Sequence, residues 1–474
     1  MLERQDFREN VDVVLDWIEK YFKEIESLPV KSKVAPKEVY NQIPGAPPLK
    51  SESLQSIMSD MDKIIKPGIT HWQHPNFHAY FPGNSSVESL FAEFLTAAIG
   101  AQCMIWDTSP AAAELEERVM EWLRDNMAIP GNFEGVIQDS ASSATLVAIL
   151  TAREVSSDFT ATTKGIPNNL RVYCSTETHS SIDKAVGISG IGTDNLVKIP
   201  VDDVLAMQPE ALEAAIKADI EKGLKPSCVV AAIGTTGTVA VDPLKEIAAI
   251  CKKYKVWLHV DAAYAGSALL LPEYQWMIEG IEDADSFVFN PHKWMFTNFD
   301  CSAYFVKDAD ILIRTFEVLP EYLKTKTRGQ VNDYRDWGIP LGRRFRALKL
   351  WFVMRSYGLE GLQSKMRKHI ALNDYFGKVI IESGDFEIIG KPFLNFTGFR
   401  LKPSGIDDTE VLNKLNEELL ESINKSGELF LSHTKINGVY TLRMIIGQTY
   451  VEQKHIEKAV KVIKEKAVSL KSHT

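Results

Sequence analysis

The chain has 474 residues, of which 45% are hydrophobic and 24% charged; that composition excludes a disordered or fibrous chain and supplies enough core for two or three domains. A formal net charge of -10 argues against nucleic acid or an anionic membrane as partner, because both call for a basic face. Five dispersed cysteines (Cys103, Cys174, Cys228, Cys251 and Cys301) contain no CxxC pair, so neither a disulfide framework nor a metal site is expected, and a reducing, cytoplasmic setting is.

Taken in chain order, the N-terminus is charged and has no apolar signal core, and no apolar run reaches the ~18 residues of a membrane span. Phe7, Val11, Val14, Trp17 and Ile18 recur at helical spacing within residues 1–30, which predicts an amphipathic helix. The proline-rich stretch from Pro36 to Pro48 is expected to be an extended linker. A second helix is expected from Ser53 to Lys66, stopped by Pro67-Gly68. These first 80 or so residues have little core of their own and are expected to pack on something else, such as a partner subunit.

From about residue 86 the texture changes. Short β-branched runs alternate with helical segments: GVIQ then SATLVAILTAREV, RVYCS then SSIDKAVGI, LVKIPV then PEALEAAIKADIEKG, SCVVAAIG then PLKEIAAICKKY, then VWLHVD and SFVFN. This alternation predicts an α/β fold with a mostly parallel sheet covered by helices on both faces. Residues 361–474 mix helix with strands such as FEIIG, GFRLK and YTLRMII, and are expected to form a smaller α+β domain.

The chemistry concentrates at strand ends. Asp261 closes the apolar run of VWLHVDAAYAG; alone, it would be read as a turn or helix cap. Lys293 follows the second apolar run of SFVFNPHKWMF. A lysine in such surroundings is costly unless it is paired or chemically modified, and a desolvated lysine is a Schiff-base nucleophile. Pyridoxal phosphate requires such a lysine together with a carboxylate for its ring nitrogen. The serine-rich turn of QDSASSATL is a candidate anion site at a helix start, although a serine N-cap is its ordinary role. The turns of AAIGTTGTV and STETHSSIDKA add Thr236 and His179. Ligands of open α/β sheets collect at the carboxyl ends of strands, so the combination is more specific than any one member.

HVDAAYAG, NPHKW, QDSASSATL, THSSIDKA and GTTGT together resemble the group II pyridoxal-phosphate decarboxylases, most closely the aromatic-L-amino-acid decarboxylases. THWQHPNFHAYFP, SPAAAELE, NFDCSA and IPLGRRFRALKLW extend the resemblance over essentially the whole chain. It implies the aspartate-aminotransferase-like fold (fold-type I) in a homodimer with active sites at the subunit interface. Residues 1–85 would be a helical dimerisation segment, 86–360 the large cofactor-binding domain and 361–474 the small domain. Lys293 would carry the cofactor, Asp261 would pair with its ring nitrogen, Ala263 would lie against the ring and His179 would stack on the other face. Ser140, Ala141, Ser142, Asn290 and His292, with Thr236 nearby, would surround the phosphate. Trp72, Tyr80, Phe81, Pro82, Gly83, Met104 and Gly342 would line the substrate pocket.

The resemblance further implies that Tyr322, in PEYLK, donates the proton to Cα after CO2 leaves, from a mobile lid that includes residues 324–333. Phenylalanine at that position resembles aldehyde synthases, as does another residue in place of His179. The reaction expected is therefore simple decarboxylation. An aldehyde synthase or transaminase on the same scaffold stays open, as does a non-enzymatic scaffold protein. Gly342 leaves room for a large ring, so indole or catechol substrates are expected and histidine is not. The chain departs from the family pattern with Asp139 for a usual Gly, Ser143 for a usual Glu and Gly83 for a common Thr. Gln102 and Met104 stand where animal enzymes carry bulkier residues.

Overall fold

The computed structural model describes residues 7–318 and 329–471. It divides into two compact units, residues 83–370 and residues 1–82 with 371–474.

The larger unit is built on a seven-stranded sheet. Its strands are β1 (Glu134–Gln138), β2 (Leu170–Ser175), β3 (Leu196–Ile199), β4 (Lys225–Ala232), β5 (Trp257–Asp261), β6 (Ser286–Phe289) and β7 (Ser302–Val306). They lie in the order β1-β7-β6-β5-β4-β2-β3. The pairs β2–β3, β2–β4, β4–β5 and β5–β6 are parallel; β7 is antiparallel to both of its neighbours. The mostly parallel sheet expected from the alternating texture is thus present. Its strands are buried nearly throughout because helices cover them, as parallel sheets require. Val172, Cys174, Val230, Val288 and Tyr304 meet Val147, Ala148, Ile182 and Val186 of the covering helices in one apolar core.

Helices Ala141–Ser156, Ser181–Ile188, Pro209–Glu221 and Leu244–Tyr254 occupy the segments that the sequence pattern predicts. The pattern does not single out β7: CSAYFV directly follows a loop and has no helical segment before it. Its pairing with β6 and β1 is a tertiary matter.

The smaller unit holds an antiparallel sheet of β8 (Phe386–Ile388), β9 (Phe396–Leu401), β10 (Ser432–Ile436) and β11 (Val439–Ile445), in the order β10-β11-β9-β8. Helices Thr409–Ser426 and Gln453–Lys471 contribute Leu419, Ile423, Ile456 and Ile463 to its core. Part of the N-terminal segment finds its core here, within the same chain, while the Pro36–Pro48 stretch expected to be extended holds the short helix Glu38–Gln42. Val30 N–H donates to Gly427 O at 2.7 Å, and Phe77 is fully buried against Phe430. Helix Phe7–Glu24 behaves differently, because none of its residues is buried. A helix ends at Asp60 rather than Lys66, and continues as a π turn over Met61–Ile65.

Candidate active site

The parallel strands β4, β5 and β6 deliver three turns to one place. Beyond β5, Asp261 Oδ1 accepts the Ala263 N–H at 3.0 Å, an Asx-type turn that fixes the carboxylate. Ile233 N–H, just past β4, donates to Asp261 O at 2.8 Å and joins the turn of Thr236 to that of Asp261. Beyond β6, Asn290 N–H donates to Ala263 O at 3.0 Å, and Lys293 N–H donates to Asn290 O at 2.9 Å. Gly234 has φ +88, and a Cβ there would come within 2.5 Å of the Ala265 Cβ. That turn therefore requires glycine.

The three titratable groups sense one another. Burial raises the Asp261 carboxyl above its usual range, while Lys293, the Ala263 N–H and His179 pull it back. Burial lowers the Lys293 ammonium, opposed by Asp261. The His179 imidazole is lowered by burial and by Lys293, opposed by Asp261. Asp261 and Lys293 keep some accessible surface although protein surrounds them, as expected of groups that line a cleft. His179 Nδ1 accepts the Ser181 N–H at 3.1 Å, so the proton of its neutral ring sits on Nε2.

A candidate anion site is the start of helix Ala141–Ser156. Ser140 is its N-cap and accepts the Ser143 N–H at 3.2 Å. Ala144 N–H goes to Ser140 O, which leaves the Ala141 and Ser142 N–H groups unspent within the helix. His259, fully buried in β5, ties this helix to the sheet: Nε2 meets Thr145 Oγ1 at 3.2 Å and Nδ1 meets Ser286 Oγ at 2.9 Å. Burial pushes its imidazole down to about 3, so it stays neutral.

The conserved-domain profile "Pyridoxal-dependent decarboxylase conserved domain" matches residues 36–402. The chain belongs to the pyridoxal-dependent decarboxylase family. It is 43% identical to phenylacetaldehyde synthase of Arabidopsis thaliana over 98% of this chain and 96% of that one. It is 42% identical to tyrosine decarboxylase 2 of Narcissus pseudonarcissus, over 99% and 95% of the two chains. Its fold superposes on the crystal structure of Oryza sativa TDC with pyridoxal phosphate and tryptamine with a TM-score of 0.96. The identity there is 33%, and 99% of each chain is covered. The protein is a carboxy-lyase whose cofactor is pyridoxal phosphate, and its fold is that of the fold-type I enzymes.

The donor set fits that cofactor. A desolvated amine and a carboxylate on adjacent turns suit its aldehyde and its ring nitrogen, and unspent N–H groups at a helix start suit its phosphate. Of the residues singled out from sequence, Asp261, Ala263, Asn290, His292 and Lys293 lie on adjoining turns. Gly83 joins them through its neighbour, since Asn84 donates N–H to His292 O at 3.0 Å and Nδ2 to Lys293 O at 2.5 Å. The segments that carry Met104 and Gly342 meet through Gln102. Gln102 Oε1 accepts the Arg343 N–H at 2.8 Å, and a Cβ on Gly342 would lie 3.3 Å from Gln102 Nε2. Trp72, Tyr80, Phe81 and Pro82 belong to the other unit, where Trp72 stacks on Tyr80 at 5.9 Å. Tyr322 lies outside the described residues, as do residues 324–328 of the expected lid. Among the lid residues that are described, Asp333 is anchored by the Trp106 N–H at 3.0 Å.

Several positioning residues carry little signal in the sequence. Ser302 donates to Asn290 Oδ1 at 2.6 Å, and His292 Nδ1 accepts the Cys301 N–H at 3.0 Å. Trp294 Nε1–H donates to His369 Nδ1 at 2.9 Å, fixing the residue after Lys293. Asp242 accepts the Ala232 N–H at 2.7 Å and the Met207 N–H at 2.8 Å, which holds the end of β4. The NFDCSA motif holds some of that signal; His369, far along the chain, holds none.

Proposed function

We propose that this enzyme converts an aromatic L-amino acid to its amine and CO2, with pyridoxal phosphate carried on Lys293. The observation that carries the reading is the junction of Lys293, Asp261 and His179, three titratable groups on separate turns that sense one another. When bound, pyridoxal phosphate supplies the electron sink for the pair left behind as CO2 departs.

The protein residues have separate tasks. Lys293, its ammonium form disfavoured by burial, would supply the amine that holds the cofactor's carbonyl carbon. Asp261 would hold a proton on the ring nitrogen. Ala263 and His179 would lie against the ring. Ser140, Ala141, Ser142, Asn290 and His292, with Thr236, hold the phosphate. Trp72, Tyr80, Phe81, Pro82, Gly83, Met104 and Gly342 form the substrate pocket, where Gly342 leaves space for a large ring. Tyr322 donates the proton to Cα.

Relatives named for phenyl and phenol substrates, and a solved structure holding an indole amine, support an aromatic substrate. Helix Phe7–Glu24 buries none of its residues in the single chain, with Phe7 52% exposed; this supports a homodimer in which residues 1–85 engage the partner. Five unpaired, buried cysteines support a cytoplasmic setting. Among the described residues, no helix is long and apolar enough to cross a membrane.

A second reading has its own support in the similarity to an aldehyde synthase. That reaction consumes O2 and water and yields aldehyde, CO2, ammonia and hydrogen peroxide. One experiment separates the two: incubate the holoenzyme with tryptophan, tyrosine, DOPA, phenylalanine and histidine, and measure amine, aldehyde and peroxide. Amine without peroxide is expected, with histidine turned over poorly. Stoichiometric peroxide and aldehyde would establish the second reading. Tyr322→Phe should slow amine formation and release aldehyde; unchanged amine production would remove Tyr322 from its assigned role.

A further inference from the structure

We infer that Asp139 sets the affinity of this decarboxylase for the phosphate end of its cofactor. The inference rests on assigning the Ser140–Ser142 turn to the phosphate. Asp139 stands between β1 and the N-cap Ser140. A single oxygen, Oδ2, lies 3.2 Å from Ser140 Oγ and 3.1 Å from Ser143 Oγ, and both hydroxyls donate to it. The two hydroxyls are themselves 3.2 Å apart. The carboxylate thus engages the side-chain donors at the helix start, which an incoming phosphate would otherwise use.

Asp139 also places a negative charge beside that phosphate. The Asp139 carboxylate helps to raise the Arg346 guanidinium, and Arg346 is already paired with Asp300, through Nη2 at 2.8 Å and Nε at 3.1 Å. Like charges brought together at a partly buried site repel strongly. The Ala141 and Ser142 N–H groups and the helix dipole still attract the phosphate. The balance is a site that binds the phosphate less tightly than its donors alone would, so that cofactor occupancy follows cofactor concentration.

The test compares two probes on the apoenzyme: pyridoxal phosphate, and pyridoxal, which lacks the phosphate. Equilibrium titrations follow the visible absorbance of lysine-bound cofactor and the quenching of protein fluorescence. Asp139→Asn keeps the size and hydrogen-bonding capacity of the side chain and removes the charge. It should bind pyridoxal phosphate about tenfold more tightly and pyridoxal as the wild type does. Asp139→Ser serves as a second neutral variant where the first folds poorly, and Asp139→Glu, which keeps the charge, should stay within a few-fold of wild type. Unchanged or weaker binding of pyridoxal phosphate by a folded neutral variant overturns the inference, as does an equal gain for both probes. Failure of the wild type to acquire colour that depends on Lys293 would instead overturn the assignment of the site.

Discussion

The two units differ in what surrounds their buried polar groups. In the smaller unit several are tied into the backbone. Asn416 accepts the Leu401 N–H at 2.7 Å and donates to Leu401 O and Leu412 O, both at 2.8 Å. Asn395 donates to Ile446 O at 2.9 Å, and His78 Nδ1–H donates to Ile445 O at 2.9 Å. These side chains stitch loops and helices onto β9 and β11. In the larger unit, Asp261, Lys293 and His179 gather at the carboxyl ends of parallel strands and influence one another's protonation. Burial alone therefore does not mark function. What marks it is a set of titratable groups that, beyond the effect of burial, act on one another.

The strongest challenge to this contrast is Lys293→Ala. It should remove the visible cofactor band and lower kcat by more than roughly a thousandfold, with the melting temperature of the apoenzyme little changed. Retained turnover would place the reactive amine elsewhere. Next in size, Asp261→Asn should lower kcat by roughly a hundredfold or more in a folded protein that still takes up cofactor. A change of only a few-fold would assign the ring nitrogen another partner.

Acid should act on both units, on His259 in the larger and on two histidines in the smaller. Burial pushes His74 and His78 down to about 4, against an ordinary value of 6.5. The folded state binds fewer protons than the unfolded chain between those values. The stabilisation from keeping these rings neutral is complete above pH 6.5 and is lost as pH falls towards 4, at about 3 kcal/mol for a fully buried ring. Asp242, pushed up to about 6 by burial, has the opposite sign: it favours the folded state on the acid side and loses that preference as pH rises from 3.8 through 6. Denaturant unfolding of His78→Gln should show lower stability at pH 7.5 and a flatter decline towards pH 5 than wild type. An unaltered slope would mean that His78 is not neutralised by burial.

The smallest effect concerns a residue of pure architecture. Asn416→Ala removes three hydrogen bonds to buried backbone and should destabilise the protein by about 2 kcal/mol, with kcat per folded active site unchanged. A loss of kcat without a loss of stability would break the division between the two regions.

Much of this molecule is legible in its residue pattern alone. The alternation of short apolar runs and helical segments specifies a covered, mostly parallel sheet, because period and burial are local properties of the chain. Asp261 and Lys293 stand out for a similar reason: each follows an apolar strand, and strand ends are where an open α/β sheet places its ligands. Local pattern does not reach β7, whose antiparallel place between β6 and β1 depends on pairing across distant segments. Nor does it place Val30 and Phe77 in the smaller unit, where Phe430 completes a small core with them. The hydroxyls of Ser140 and Ser143 are recognisable as those of a helix start. That both turn to one carboxylate oxygen of Asp139 is decided only in three dimensions, since a hydrogen bond depends on direction and distance, which a sequence of residue types does not carry.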